Sequence, residues 1–569
     1  MTGRVLRVSG PLVEVTGLEG VAMSEVVVLG REELPGEVVA ISDQVLSVQA
    51  YEYTGGLSAG DPVTALGHPL AARLGPELLG GVFDGLLRPL SGAPIWLTTS
   101  ARRGGGRTDW DWHPSVAIGD RVEEGTVLGA VPAGGIEYRV LTPQGVAGTV
   151  ERLAPAGGHG ADDVVAVVGG VEVGLSTQWP IRRPRPVRER VAAAAPLITG
   201  QRVLDAIFPI AQGSSAAVPG GFGTGKTMLL QQIAKWCDAE VIVYVGCGER
   251  GNEMADVLDE LRELADPRTG QRLADRTVII ANTSNMPMMA REASIYSGVT
   301  VAEHFRDMGY HAVVIADSTS RWAEALREFA SRSGALPAEE GYPASLPSAL
   351  AAFYERAGRV VTLGGATASV TIIGAVSPPG GDTTEPVTAQ TERFVRALWS
   401  LDRDLAYARH YPAVAWAGSF SRDAENLAPW YARNGDPGWG ERRARVTTLL
   451  AEADRLGELA ELVGAGSLPG HERVVLLAGR LLREAVLQQN ALSPNDAHCS
   501  PEKTAVLTDA VLDVVDRCDA LIEAGSTASE IEELDFSVLL RAAQETPPDD
   551  SAGIANRRRQ VLDQLGERP

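Results

Sequence analysis

The sequence predicts a multi-domain α+β chain. It reads as an N-terminal β-barrel, an inserted β-rich module, a central α/β domain with a phosphate loop, and a C-terminal helical bundle. Three observations predict it. The chain has 569 residues, well beyond the length one hydrophobic core supports. Its apolar pattern changes along the chain from short β-rich runs, to alternating strands and helices, to almost unbroken helix. One Gly-rich stretch, GGFGTGKT at 220–227, falls where a strand-like run gives way to a helix-like one.

Residues 1–70 contain GRVLRVSG, LVEVTG, SEVVVLG, GEVVAIS, QVLSVQAYEY and DPVTALG, with glycines between them. Repeats near ten residues with turn punctuation predict a small antiparallel barrel. Residues 71–91 are grouped with the central domain. Residues 92–185 are Gly- and Pro-rich and carry SARRGGGRTDWDW and VEEGTVLGAVPAGG, a second β-rich module that bulges from the chain. The stretch RRPRPVRER, 182–190, reads as a solvated exit linker rather than a polyanion patch. Across 186–428, SAAVPG, EVIVYVGC, RTVIIANTS, HAVVIADS and SVTIIGAVS alternate with KTMLLQQIAKWC, NEMADVLDELRELA, TVAEHFRDMG and RWAEALREFASR. Such alternation predicts a mostly parallel sheet covered on both faces. Residues 429–569 predict a helical domain, with 546–569 a frayed end.

Bulk composition excludes several classes. A net charge of −22 argues against nucleic acid and against direct contact with an anionic membrane. No apolar run approaches transmembrane length, and MTGRVLRVSG lacks a signal-peptide core. Cys237, Cys247, Cys499 and Cys518 form no CxxC pair, as expected of reduced, buried thiols in an intracellular protein.

Residues Gly220, Gly221, Phe222, Gly223, Thr224, Gly225, Lys226 and Thr227 fit G-x-x-x-x-G-K-[ST], with Met228 opening the next helix. Glycines let backbone N–H groups curl toward phosphate oxygens, and a helix N-terminus adds partial positive charge. The chain has only three lysines, Lys226, Lys235 and Lys503, against 48 arginines (51 − 3). A lysine kept here points to a site that needs a compact ammonium at the β- and γ-phosphates. The Thr227 hydroxyl is placed to ligate Mg²⁺ directly.

Two further stretches supply candidate chemistry. VIVYVGCGERGNE ends an apolar strand at Gly246 and Gly248 and presents Glu249 and Arg250. At the carboxyl end of a parallel strand, such a carboxylate can orient or deprotonate a water, and the arginine can hold phosphate oxygens. A solvated loop ion pair is the alternative. HAVVIADSTSR ends a strand in Asp317, either a Mg²⁺-positioning carboxylate acting through water or an N-cap for the next helix. Downstream of a phosphate loop the metal role leads, and together these residues make a nucleoside-triphosphate hydrolysis site.

Longer strings then carry a resemblance. GVFDGLLRPL, PLITGQRVLDAIFPIAQG, VYVGCGERGNEMADVL, ANTSNMPMMAREASIYSGVTVAEHFRDMGY, GYPASLPSALAAFYERAGRV, GAVSPPGGDTTEPVT and LDRDLAYARHYPAVAW resemble the catalytic A subunit of the vacuolar/archaeal-type rotary ATPases, over nearly the whole chain. The resemblance implies a RecA-like nucleotide-binding domain using ATP/ADP with Mg²⁺. It implies that Glu249 polarises the attacking water and Arg250 contacts the γ-phosphate. Asp317 becomes the Walker B acid with Arg321 close behind it, and Tyr411 walls the adenine. It implies B-type partner subunits in an A₃B₃ ring, an arginine finger from the partner, central and peripheral stalks, and attachment to the cytoplasmic face of the membrane only through the complex. The family has an aromatic after QQNA where this chain has Leu492, so one wall of the adenine pocket is expected to be aliphatic. The alternatives are a homohexameric export or secretion ATPase, a non-hydrolytic nucleotide-binding ring subunit, and an RNA-translocating ring motor.

Overall fold

Val5 in the first strand and Val13 and Val15 in the second are buried between more exposed neighbours, which gives these strands one apolar face. Strands β1 (Thr2–Ser9), β2 (Leu12–Thr16), β3 (Glu25–Leu29), β4 (Leu34–Ser42), β5 (Val45–Ala50) and β6 (Pro62–Pro69) form a closed barrel. Its order is β1-β2-β5-β4-β3-β6, with β6 pairing back to β1. Val5, Val13, Val15, Val27, Leu29, Val48 and Val63 fill it. Closure leaves no open edge.

The computed structural model describes residues 2–42, 44–91, 109–192, 194–266 and 268–566. The expected opening of the inserted module, 92–108, lies outside them. From Asp109 the module forms two four-stranded antiparallel sheets with Trp112, Leu128, Tyr138 and Val150 inside. The Tyr138 hydroxyl bonds His304 at 2.9 Å, which pins the module to a helix of the next domain.

The chain divides into two compact bodies. One comprises Met1–Ala192, Ala239–Ser377 and Thr384–Phe394; the other comprises Ala193–Asp238, Pro378–Thr383 and Val395–Pro569. In the first, β7 (Val241–Cys247), α1 (Gly251–Glu263), β8 (Thr277–Asn282), α2 (Met288–Asp307), β9 (His311–Asp317), α3 (Thr319–Arg332) and β10 (Thr367–Val376) build a parallel sheet of order β10-β9-β7-β8, with Val82–Phe83 at the edge. β7 and β8 are buried at every position, as strands covered on both faces require.

The basic linker is not a solvated hinge. Arg182 binds Glu292 at 2.7 and 2.9 Å, and Arg185 binds Asp307 at 2.6 Å. Arg188 donates to the Leu363 carbonyl and Arg190 to those of Glu355 and Ala357. Charge alone suggested solvation; the acidic faces and open carbonyls of this body supply partners instead.

In the second body the strand Ser215–Pro219 pairs in parallel with Ala397–Leu398 and leads into the helix Lys226–Trp236. Helices α4 (Trp439–Val463), α5 (Gly470–Leu481), α6 (Pro501–Glu523) and α7 (Ser551–Gly566) form the helical domain. Pro501 opens α6, and the Ser500 side chain caps it from outside by accepting the Lys503 N–H. The expected frayed end is, as far as residue 566, an ordered helix: α7 buries Ile554, Val561 and Leu565 against α6 and pairs Arg558 with Asp513 at 2.5 Å. Among the described residues no helix is long and apolar enough to cross a membrane. All four cysteines are buried, and none is in a disulfide.

Candidate active site

The phosphate loop belongs to the second body. Strand Ser215–Pro219 is wholly buried, so it fixes where the loop starts. Gly223 and Gly225 take φ of 82° and 84°, the left-handed region that lets the loop turn back on itself. The Thr224 hydroxyl ties the loop by donating to the Gly221 carbonyl at 2.9 Å, and Lys226 Nζ donates to the Gly220 carbonyl at 2.8 Å. No side chain caps the N-terminus of the helix that begins at Lys226, which is the arrangement an anion-binding helix end needs.

Tyr411 lies against this loop. A Cβ on Gly225 would stand 3.2 Å from the Tyr411 ring and press on it. The Tyr411 carbonyl accepts the Gln489 N–H at 2.7 Å. The buried Arg202 guanidinium grips the Val486 carbonyl at 2.7 Å and Asp496 at 2.5 Å, holding both ends of the segment that carries Leu492. Leu492 itself is 88% exposed and Phe222 95% exposed, and Met228 is also exposed. The structure brings the Gly220–Thr227 loop and Tyr411 together, while Leu492 and Phe222 project to solvent. Arg403, not singled out from the sequence, has Nη2 3.4 Å from where a Gly221 Cβ would lie.

The first body carries the other candidates at the carboxyl ends of β7 and β9. Gly246 and Asp317 are register partners across these strands, which brings the Glu249 turn and the Asp317 carboxylate to the same sheet end. Asp317 is 2% exposed and accepts the Tyr244 hydroxyl at 3.2 Å. It is not an N-cap: Ser318 holds that position of α3, and no side chain there makes a capping bond. Gly248, with φ 76°, turns the chain into Glu249; a Cβ there would stand 2.8 Å from that of Arg321. Arg321 extends outward to bond both carboxylate oxygens of Glu324 at 2.9 and 3.0 Å. Arg250 is exposed at the N-cap of α1.

Glu249 is half-buried, and its carboxyl is pushed up to about 8. Burial is the largest cause, followed by the charge of Asp317 and a hydrogen bond and charge from Glu253; the Arg321 guanidinium opposes them. A carboxyl poised near neutrality is suited to proton handling. Glu253 was missed in the sequence, although its i+4 spacing from Glu249 at a helix start was the available signal.

Sequence comparison covers most of the chain. Residues 200–421, which contain every candidate except Leu492, match the ATP synthase alpha/beta family nucleotide-binding domain. Residues 5–67 match that family's beta-barrel domain, 106–182 its barrel-sandwich domain, and 428–529 the C-terminal domain of V and A type ATP synthase. The V-type ATP synthase alpha chain of Anaeromyxobacter dehalogenans (strain 2CP-C) is 51% identical over 538 residues, 92% of each chain. The corresponding A subunit of the A-type ATP synthase of Thermofilum pendens is 47% identical, covering 93% of this chain and 90% of that one. Among solved structures, the assembled ATPase of the enteropathogenic E. coli type III secretion system superposes with a TM-score of 0.66 at 21% identity. It covers 90% of this chain and 100% of that one, a likeness of fold.

Proposed function

This chain belongs to the ATP synthase alpha/beta family, in its V- and A-type branch, and on that premise we propose how its residues work. It is the catalytic subunit of a V/A-type ATP synthase, an ATP hydrolase and synthase coupled to ion transport, acting in a complex with other subunits. The carrying observation is 51% identity over 92% of the chain, with the phosphate loop intact. The export-ATPase alternative is not favoured, since it rests on fold likeness at 21% identity. Nor is a non-hydrolytic ring subunit.

The amides of Gly220–Thr227 cradle the phosphates of ATP, and Lys226 leaves the Gly220 carbonyl to meet the β- and γ-oxygens. Glu249 orients the attacking water and takes up its proton as the γ-phosphoryl transfers, while Arg250 and Arg321 steady the phosphoryl oxygens. Tyr411 walls the adenine, with Phe222 and Met228 at the loop and Leu492 as the aliphatic side.

The donor set suits Mg²⁺: a hydroxyl at Thr227 and a buried carboxylate at Asp317 are hard oxygen donors. Among the described residues no cluster of three or more His, Cys, Asp or Glu forms a self-sufficient cage. Thr227 would hold the ion directly and Asp317 through water. Bound there, it would neutralise charge on the β- and γ-phosphates.

Three copies alternate with three B-type subunits in a ring closed by head-to-tail contacts. The partner supplies an arginine finger, and the helical domain works against a central stalk, with a peripheral stalk bracing the ring. The chain is cytoplasmic, on the inner face of the membrane, and touches it only through the complex. The test is Glu249→Gln in the assembled complex: ATP binding should persist and turnover should vanish. Surviving turnover would remove Glu249 from the water-polarising role.

A further inference from the structure

We propose that Arg291 is a positioning residue for Glu249, fixing the backbone from which that carboxylate is presented; this rests on the reading of Glu249 as the water-polarising group. Arg291 lies in the first turn of α2, meets Cys247 and Gly248 of the Glu249 turn, and reaches Glu249 through Ser284. The Cys247 thiol donates to the Arg291 carbonyl at 3.5 Å. A Cβ on Gly248 would stand 3.3 Å from Arg291 Cδ, so the arginine stem lines the floor of that turn. Arg291 Nη2 donates to the Ser284 carbonyl at 3.0 Å, and the Ser284 N–H donates in turn to the Glu249 carbonyl at 3.0 Å.

Two further features single this side chain out. Its Nε is buried without a hydrogen-bond partner in the protein. The turn carrying it is also anchored from behind. Its neighbour Glu292, 4% exposed, is held by both Arg182 nitrogens, and Arg182 Nη2 reaches Glu37 of β4 at 3.4 Å. Rotating the first turn of α2 would break that pair and strand the buried Glu292 carboxylate, which is expensive. Arg291 therefore transmits a fixed reference from the barrel and linker to the backbone of the catalytic turn. It does so through Ser284, without contact with the reacting atoms.

The experiment compares Arg291→Met, Arg291→Lys and Glu249→Gln in the assembled complex, measuring kcat, the KM for ATP and nucleotide affinity. A misplaced carboxylate can cost about 100-fold in rate, so Arg291→Met should lower kcat by that order while KM stays within about 3-fold. Lysine can still donate to the Ser284 carbonyl, so Arg291→Lys should recover on the order of 10-fold of that loss. The proposal falls if Arg291→Met keeps parental kcat, if the lysine variant is no better than the methionine one, or if KM rises in step with the loss. Inactive Glu249→Gln alongside those results leaves the Glu249 reading intact, whereas active Glu249→Gln overturns both. Should Arg291→Met fail to assemble, Arg291→Lys decides: a reduced kcat at unchanged KM supports the proposal, and a parental kcat sinks it.

Discussion

Glu249 owes its raised proton affinity first to burial, then to Asp317 on β9 and Glu253 on α1, with Arg321 of α3 and the Tyr244 hydroxyl on Asp317 completing its surroundings. It must be ionised to accept a proton, so kcat should climb as pH rises toward about 8 and level off above it. Glu253→Gln removes a like charge and can donate a hydrogen bond, both of which favour ionised Glu249. The acid limb of the kcat–pH profile should therefore move to lower pH; a limb that stays put would show that Glu253 does not tune this carboxyl. The stability consequence has the opposite character. An ordinary glutamate ionises near 4.5, whereas this one holds its proton to about 8, so the unfolded chain loses its proton first. Folding stability contributed by this group is complete at low pH and declines as pH rises between those values. Glu249→Gln abolishes the decline and should raise Tm at pH 8 relative to the parent, measurable by calorimetry, even as it removes turnover.

At the scale of elements, the sequence made much legible because period and punctuation agreed with burial. Short β-rich runs near ten residues apart, punctuated by glycines, predicted the barrel, and the unbroken apolar run in EVIVYVGC predicted a strand covered on both faces. The phosphate loop was legible because its glycines and flanking periods are local. The linker and the chain end were misread because their partners are distant in sequence: Glu292 and Asp307 for the linker, Asp513 for α7. Scarcity of lysine was a signal used for Lys226 and overlooked for Lys503. The Lys503 side chain is buried in α6, and its Nζ donates to the carbonyls of Ala543 and Thr546 at 2.9 Å and of Asn495 at 3.3 Å. Three converging carbonyls suit an ammonium rather than a planar fork. Lys503→Met would strand them, with an expected loss of at least about 2 kcal/mol in denaturant unfolding. A loss under about 0.5 kcal/mol would show that the carbonyls find other partners.

For the whole molecule, membership of a multi-subunit ATP synthase predicts that the isolated chain turns over slowly. Without a partner arginine the chain should hydrolyse ATP about 1,000-fold more slowly than the assembled complex, while still binding nucleotide. Comparable rates with and without partner subunits would show the catalytic set to be complete in one chain.

Residues 182–190 hold five arginines in nine positions, an obvious target for trypsin on paper. Two of them, Arg183 and Arg185, precede proline, and Arg182, Arg185, Arg188 and Arg190 are already engaged by carboxylates or carbonyls. A protease must draw an extended segment into its cleft, and here it would first have to peel the segment from α2 and its neighbours. Limited digestion of the native protein should leave this stretch uncut, and mass spectrometry of the fragments would report it. A construction that looks in the sequence like a place to come apart is instead a seam that has been stitched.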